Sequence, residues 1–145
     1  MRLKDEILRA LKTNIEWSEG IIIFWFLPED VDRQYLHDTM QEIYWDSRGE
    51  DDQVYQSLYE SPDNTQYGPN WHTDPEWSFV WMDLCKGDTY QELKMLNNRR
   101  NLMMERKMFV HIILQDSYQK NIYGQVPCPD LWAVRGYTIT PDDFI

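Results

Sequence analysis

The chain has few of the residues that mark disulfide-stabilised, membrane-spanning or phosphate-binding proteins. Only two cysteines occur in 145 residues, Cys85 and Cys128, and their wide separation predicts free thiols. The longest apolar run, Ile21–Leu27, has seven residues, whereas a spanning helix needs about 20. Six scattered glycines offer no glycine-rich phosphate loop. These absences predict neither a disulfide framework nor a membrane partner.

Basic charge is also scarce, with 14 Lys and Arg against 25 Asp and Glu and a net charge of −11 at pH 7. This balance argues against direct binding to nucleic acid, whose phosphates attract cations. The first six residues, Met1–Glu6, are charged and contain no apolar signal core, which predicts a cytoplasmic location. The length, with 42% hydrophobic residues, predicts a single α+β domain over residues 1–145.

The apolar pattern predicts alternating helices and strands. Helical spacing predicts helices over 3–13, from Pro28 to Trp45, and from an Asp88 cap to Met103 or Met104. Runs of β-branched and aromatic residues predict strands over 21–27, 77–84, 109–114, 121–126 and 131–140, with irregular chain over 46–75 that contains a short element near 54–59. This order predicts an α+β fold in which three helices pack on a single mixed or mainly antiparallel sheet of about five strands.

The residues that could carry chemistry are few. No pair of the three histidines, His37, His72 and His111, has the spacing of a helical metal site, so we expect no metal and no cofactor. His111 lies inside an apolar run and is predicted to be a core residue. One catalytic alternative is a set of His72, Asp74 and Asp83, which would suit metal-assisted or general-base chemistry. A loop histidine bonded to a neighbouring carboxylate is the simpler interpretation, and the sequence predicts no catalytic residue.

Most of the excess negative charge lies in one internal segment. Residues 29–63 contain eleven acids against Arg33 and Arg48. Asp38 and Glu42 are four residues apart on a predicted helix, where like charges cost about 0.2–0.5 kcal/mol. A cationic partner would offset that cost, and aromatic residues are frequent in binding hot spots. The candidate partner-binding residues are the acids and aromatics of this segment: Asp38, Glu42, Trp45, Asp46, Glu50, Asp51, Asp52, Tyr55 and Tyr59.

In its length, its acidity, the mixture of acids and aromatics from Trp45 to Tyr59 and its lack of a catalytic motif, the chain resembles the small acidic immunity proteins of bacterial polymorphic toxins, including those of contact-dependent growth inhibition systems. The resemblance implies a cytoplasmic antitoxin that binds and neutralises a cognate basic toxin domain, often a nuclease. The charge pattern also leaves open a nucleic-acid mimic that inhibits a defence enzyme. Such a mimic would compete directly with DNA or RNA on its target.

Overall fold

The structure is a computed structural model that describes residues 1–48, 57–60, 79–85, 89–105, 107–119 and 127–145. Within these ranges the helices and strands alternate along most of the chain. In chain order they are α1 (Asp5–Trp17), β1 (Ile21–Leu27), α2 (Arg33–Arg48), β2 (Ser57–Glu60), β3 (Phe79–Asp83), α3 (Thr89–Asn98), α4 (Arg100–Glu105), β4 (Phe109–Gln115), α5 (Pro129–Ala133) and β5 (Tyr137–Ile139).

The strands form one sheet in the order β2-β3-β4-β1-β5, and every neighbouring pair is parallel. The predicted mixed or mainly antiparallel sheet is therefore wrong. All seven residues of β1 and all five of β3 are buried. A strand that is covered by helices on both faces of its sheet has a nearly continuous apolar sequence, and such strands are typical of parallel sheets. The run in β1 was a signal for parallel pairing as well as for a central strand.

Helices cover both faces of the sheet. Side chains from α1 and α2 pack on one face, and side chains from α3, α4 and α5 pack on the other. The crossover from β1 through α2 to β2 and the crossover from β3 through α3 and α4 to β4 run in opposite directions across the sheet. Because they also lie on opposite faces, both crossovers have the same hand. The described ranges contain five α-helices where three were predicted. One addition arises because the predicted third helix is divided between Asn98 and Arg100 into α3 and α4.

The other additional helix is α5, which lies where the sequence predicted a strand over 131–140. Pro129 occupies the first turn, where its missing N–H costs nothing. The side-chain oxygen of Asn97 on α3 accepts hydrogen bonds from the backbone N–H groups of Asp130 (3.0 Å) and Leu131 (2.8 Å). The residue that caps α5 lies more than 30 residues earlier in the sequence, so the local sequence pattern could not predict this helix. The strand in this region is limited to β5, and the strand predicted over 121–126 lies outside the described residues.

Two helix boundaries also differ from the prediction. α1 extends to Trp17 rather than residue 13. α2 begins at Arg33 and not at Pro28, because the side chain of Asp32 accepts a hydrogen bond from the backbone N–H of Tyr35 at 3.1 Å and caps the helix there. The acids at 29 and 30 therefore precede the first turn of α2 and do not belong to it.

The core between the sheet and α2 is aromatic and contains two buried imidazoles, those of His37 and His111. His111 of β4 is fully buried, as predicted, and its Nδ1 accepts a hydrogen bond from Trp25 Nε1 at 3.1 Å. The ring of Trp81 lies 5.2 Å from the imidazole and that of Phe79 lies 5.1 Å from it. Burial lowers the pKa of His111 to about 3, with a smaller contribution from nearby His37, so the imidazole is neutral.

Candidate functional site

α2 carries four of the predicted partner-binding residues on a helix that is fixed to the core. Its inner side consists of Leu36, Met40, Ile43 and Tyr44, all buried against the sheet and α1. Ring contacts of Tyr44 with Phe79 and Phe109, at 5.7 Å and 5.0 Å, hold the second half of the helix in place. The opposite side of α2 is thereby presented to solvent as a rigid surface.

Three carboxylates follow this outer side at intervals of four residues. Asp38, Glu42 and Asp46 are all exposed and lie on the same side of α2, and we call them the acidic stripe. Within the part of the chain that the structure describes, neither Glu42 nor Asp46 forms an ion pair or a hydrogen bond. Each neighbouring pair in the stripe is therefore a like-charge i, i+4 contact that disfavours the free helix.

Asp38 differs from the other two acids because its carboxylate has hydrogen-bond donors. His37 Nδ1 donates to Oδ1 at 2.9 Å, and Gln34 Nε2 donates to the same oxygen at 2.9 Å. These two hydrogen bonds lower the pKa of Asp38 below its ordinary value, and the bond from His37 has the larger effect. The imidazole of His37 is in turn packed edge-on against Trp81 and Phe79. The carboxylate at this position therefore has a fixed orientation and stays ionised in mild acid.

Two aromatic residues accompany the stripe. Trp45 is half-buried and packs against the core, so only part of its ring is open to solvent. Tyr35 is 42% exposed and precedes Asp38 by three residues and Glu42 by seven, which places it beside the stripe. Tyr35 is not among the partner-binding residues that the sequence predicts. Its spacing to the two acids was the signal that could have identified it.

Of the five remaining predicted residues, the structure describes one. Tyr59 lies in β2, where its backbone pairs with Trp81 of β3. The other four lie outside the described residues: Glu50, Asp51, Asp52 and Tyr55.

The alternative catalytic set includes one described residue, Asp83. This carboxylate is buried at the end of β3, where it forms an ion pair with Arg33 of α2 at 3.5 Å and accepts the backbone N–H of Cys85 at 3.1 Å. These contacts fix the start of α2 against the sheet, which is a structural role. His72 and Asp74 lie outside the described residues. No group of three His, Cys, Asp or Glu side chains in the described ranges could hold a metal ion.

Both cysteines are free thiols, as predicted. Burial raises the pKa of Cys85 to about 12, helped by the charge of Asp83, and burial raises the pKa of Cys128 to about 12. A nucleophilic cysteine acts as the thiolate, so both side chains are in the unreactive form at neutral pH.

No helix among the described residues combines the length and apolar character that crossing a bilayer requires. Comparison of the chain with protein-family models and with curated proteins gives no match.

Proposed function

We propose that this protein is an immunity protein that binds and neutralises a basic toxin domain, with the acidic stripe of α2 as the contact surface. One observation carries the proposal. Asp38, Glu42 and Asp46 project from one side of a core-anchored helix, and two of the three, Glu42 and Asp46, form no ion pair or hydrogen bond in the described part of the chain. A surface that disfavours its own free state in this way gains from the arrival of a positively charged partner.

The toxin class that suits this surface is a nuclease. A nuclease must hold the phosphate backbone of its substrate, and it does so with Lys and Arg side chains. The acidic stripe offers carboxylates at one-turn intervals to such side chains, and complementary charge raises association rates by about 10- to 1,000-fold at low salt. Tyr35 and the open part of Trp45 supply aromatic contact area beside the charges.

The proposal requires that a reading frame beside that of this chain encode a toxin with a basic C-terminal domain, and the absence of one would contradict it. That domain is the probe, with association measured by stopped-flow fluorescence. The variant D38N/E42Q/D46N removes three charges from the stripe. Its association rate at low salt is expected to fall at least tenfold, with a smaller change in dissociation rate. The matched control E29Q/D30N/D142N removes three charges from exposed acids elsewhere and is expected to associate within about twofold of the wild-type rate.

Equal losses in the two variants would mean that overall charge, and not the stripe, drives association. Absence of binding to the toxin domain, or binding that leaves toxin activity intact, would contradict the proposed function itself. A second arm adds a non-cleavable oligonucleotide. Competition with it would place the contact on the nucleic-acid channel, as expected for a mimic, whereas simultaneous binding would place the contact beside that channel.

A further inference from the structure

A cavity of about 440 Å³ lies at the end of the sheet where β1 begins, and no residue of the acidic stripe lines it. Its walls come from the first residues of β1, from α4 and the turn that follows it, and from the residue after α5. The apolar side chains that line it are Ile21, Ile22, Met103, Met104, Met108 and Val134. Its volume is within the range of small-molecule sites, about 300–1,000 Å³.

The lining of the cavity includes two exposed apolar side chains beside the charged pair of Glu19 and Lys107. Met104 is 51% exposed and Val134 is 37% exposed, although both belong to residue types that proteins usually bury. Three of the lining residues are methionines, whose flexible thioether side chains adjust to the shape of an apolar ligand. An alkyl chain entering here would contact flexible side chains on one wall and the first residues of β1 on another.

The cation at the rim of this cavity is Lys107, whose backbone has an unfavourable conformation. Lys107 has a φ of 56°, which is unfavourable for an L-residue with a side chain, and is the one non-glycine residue with positive φ among those described. The N–H groups of Lys107 and Met108 bond to the carbonyls of Met104 and Met103, at 3.1 Å and 3.2 Å, in the helix-ending arrangement that normally contains glycine at this position. The chain therefore has lysine where glycine would be more stable.

The backbone of Gly20 packs closely against the backbone of Lys107. A Cβ on Gly20 would lie 2.6 Å from the carbonyl carbon of Lys107, so only glycine allows the two segments to approach. The ammonium of Lys107 pairs with Glu19 at 3.1 Å, and both side chains are largely exposed. An exposed pair of this kind contributes little stability, so another carboxylate can replace Glu19 readily.

We propose that this cavity binds a medium-chain carboxylate, with the alkyl chain among the methionines and the carboxylate on the ammonium of Lys107. The six apolar lining side chains and the cation at the rim match the two parts of such a ligand, and Ser18, Glu19 and Gly20 form the remainder of the lining. The carboxylate of the ligand replaces that of Glu19 in the ion pair with Lys107, and no covalent bond is made or broken.

The first experiment titrates the protein with butanoate, hexanoate, octanoate and decanoate, each below its micelle concentration, with binding measured by calorimetry and by NMR of the methionine methyl groups. Burial of each methylene is expected to tighten binding by about three- to fourfold until the cavity is full. The methyl signals of Met103, Met104 and Met108 should shift and the other methionine signals should not. Absence of binding, or affinity that does not depend on chain length, would overturn the proposal.

The second experiment tests the cation. K107Q is expected to weaken octanoate binding by about two- to fivefold, the range of an exposed ion pair, whereas K94Q, at an exposed lysine of α3 outside the cavity, should leave it unchanged. Octanol has nearly the same alkyl chain without the charge, so it should bind wild type and K107Q equally. An equal loss for octanol would show that K107Q had damaged the cavity and that Lys107 does not recognise the carboxylate.

The third experiment separates a ligand-binding lysine from a structural one. K107G should lose octanoate affinity as K107Q does, yet its thermal midpoint should equal or exceed that of wild type, because glycine suits the backbone there. V134F, which fills the entrance from an exposed position, should weaken octanoate and octanol alike. A lower midpoint in K107G together with unchanged octanoate affinity would assign Lys107 a purely structural role and reject the site.

Discussion

His111 is a histidine kept neutral by its surroundings. Its Nδ1 is occupied by the indole N–H of Trp25, and its Nε2 is buried without a hydrogen-bond partner among the described residues. A proton added to this ring would place a positive charge among the rings of Trp25, Trp81 and Phe79. Such a buried charge has a high desolvation cost, which is the reason for the lowered pKa.

This burial predicts a pH dependence of stability. The pKa of His111 is about 3 in the folded protein and about 6.5 in the unfolded chain. Between these values the unfolded chain binds a proton that the folded protein does not, so the free energy of unfolding falls as pH is lowered from about 6.5. The expected slope is about 1.4 kcal/mol per pH unit for this one group. Urea unfolding at several pH values between 7 and 4.5 measures it.

The control is H111Q, which retains a hydrogen-bond acceptor for Trp25 but cannot be protonated. H111Q is less stable at neutral pH because the core is altered, so the comparison concerns slopes and not absolute values. The free energy of unfolding should change less steeply with pH in H111Q than in wild type, by about 1.4 kcal/mol per pH unit, which corresponds to one proton. Parallel curves for the two proteins would show that His111 does not titrate in this way.

At the scale of the element, α2 combines a stabilising inner side with an outer side that disfavours the free protein. Glu42 lies between Asp38 and Asp46, one turn from each. It therefore takes part in both like-charge contacts of the acidic stripe. The inner side, with Leu36, Met40 and Ile43 buried, provides the stability that allows such an arrangement to persist.

Replacement of Glu42 by Gln removes both repulsive contacts at once. We expect E42Q to raise the free energy of unfolding by about 0.4–1 kcal/mol at low salt, with the gain decreasing as salt screens the charges. Chemical denaturation at two salt concentrations measures the effect. E29Q, at an exposed glutamate outside any helix, should change stability by less. A loss of stability in E42Q would show that the three carboxylates do not repel one another.

The elements that the sequence predicts well are those whose signal is local. β1, β3 and β4 were predicted from their β-branched and aromatic residues, and most of α2 was predicted from its helical spacing. α5 was missed because its N-terminus is capped by Asn97 of another helix, and the strand direction was missed because pairing is decided between distant segments. At the candidate site, helical spacing was enough to place Asp38, Glu42 and Asp46 together, and the same spacing places the exposed Tyr35 beside them.

At the scale of the whole molecule, the net charge of −11 acts on stability as well as on binding. Like charges spread over a small folded protein repel one another more than they do in the expanded unfolded chain. The free energy of unfolding should therefore rise when sodium chloride is increased from about 0.01 M to about 0.1 M, where the screening length falls from about 30 Å to about 10 Å.

The expected gain is measured as a higher urea midpoint at the higher salt concentration. The pair of Lys107 with Glu19 and that of Arg100 with Asp130 will weaken over the same range, which opposes the gain. Both are exposed or half-exposed, so their losses should be the smaller effect. A midpoint that falls with salt would show that attractive pairs outweigh the overall repulsion.

The position of β1 inside the sheet, between β4 and β5, has a consequence for synthesis. Ile21 pairs with Phe109, 88 residues later, and Trp25 pairs with Ile139, so both neighbours of β1 are translated long after it. At about 5–20 residues per second, a ribosome needs roughly 4 to 18 s to cover the shorter gap. Throughout that interval the nascent chain carries its most apolar segment without the strands that cover it. Cellular yield should therefore depend on chaperones that shield residues 21–27 until β4 has emerged.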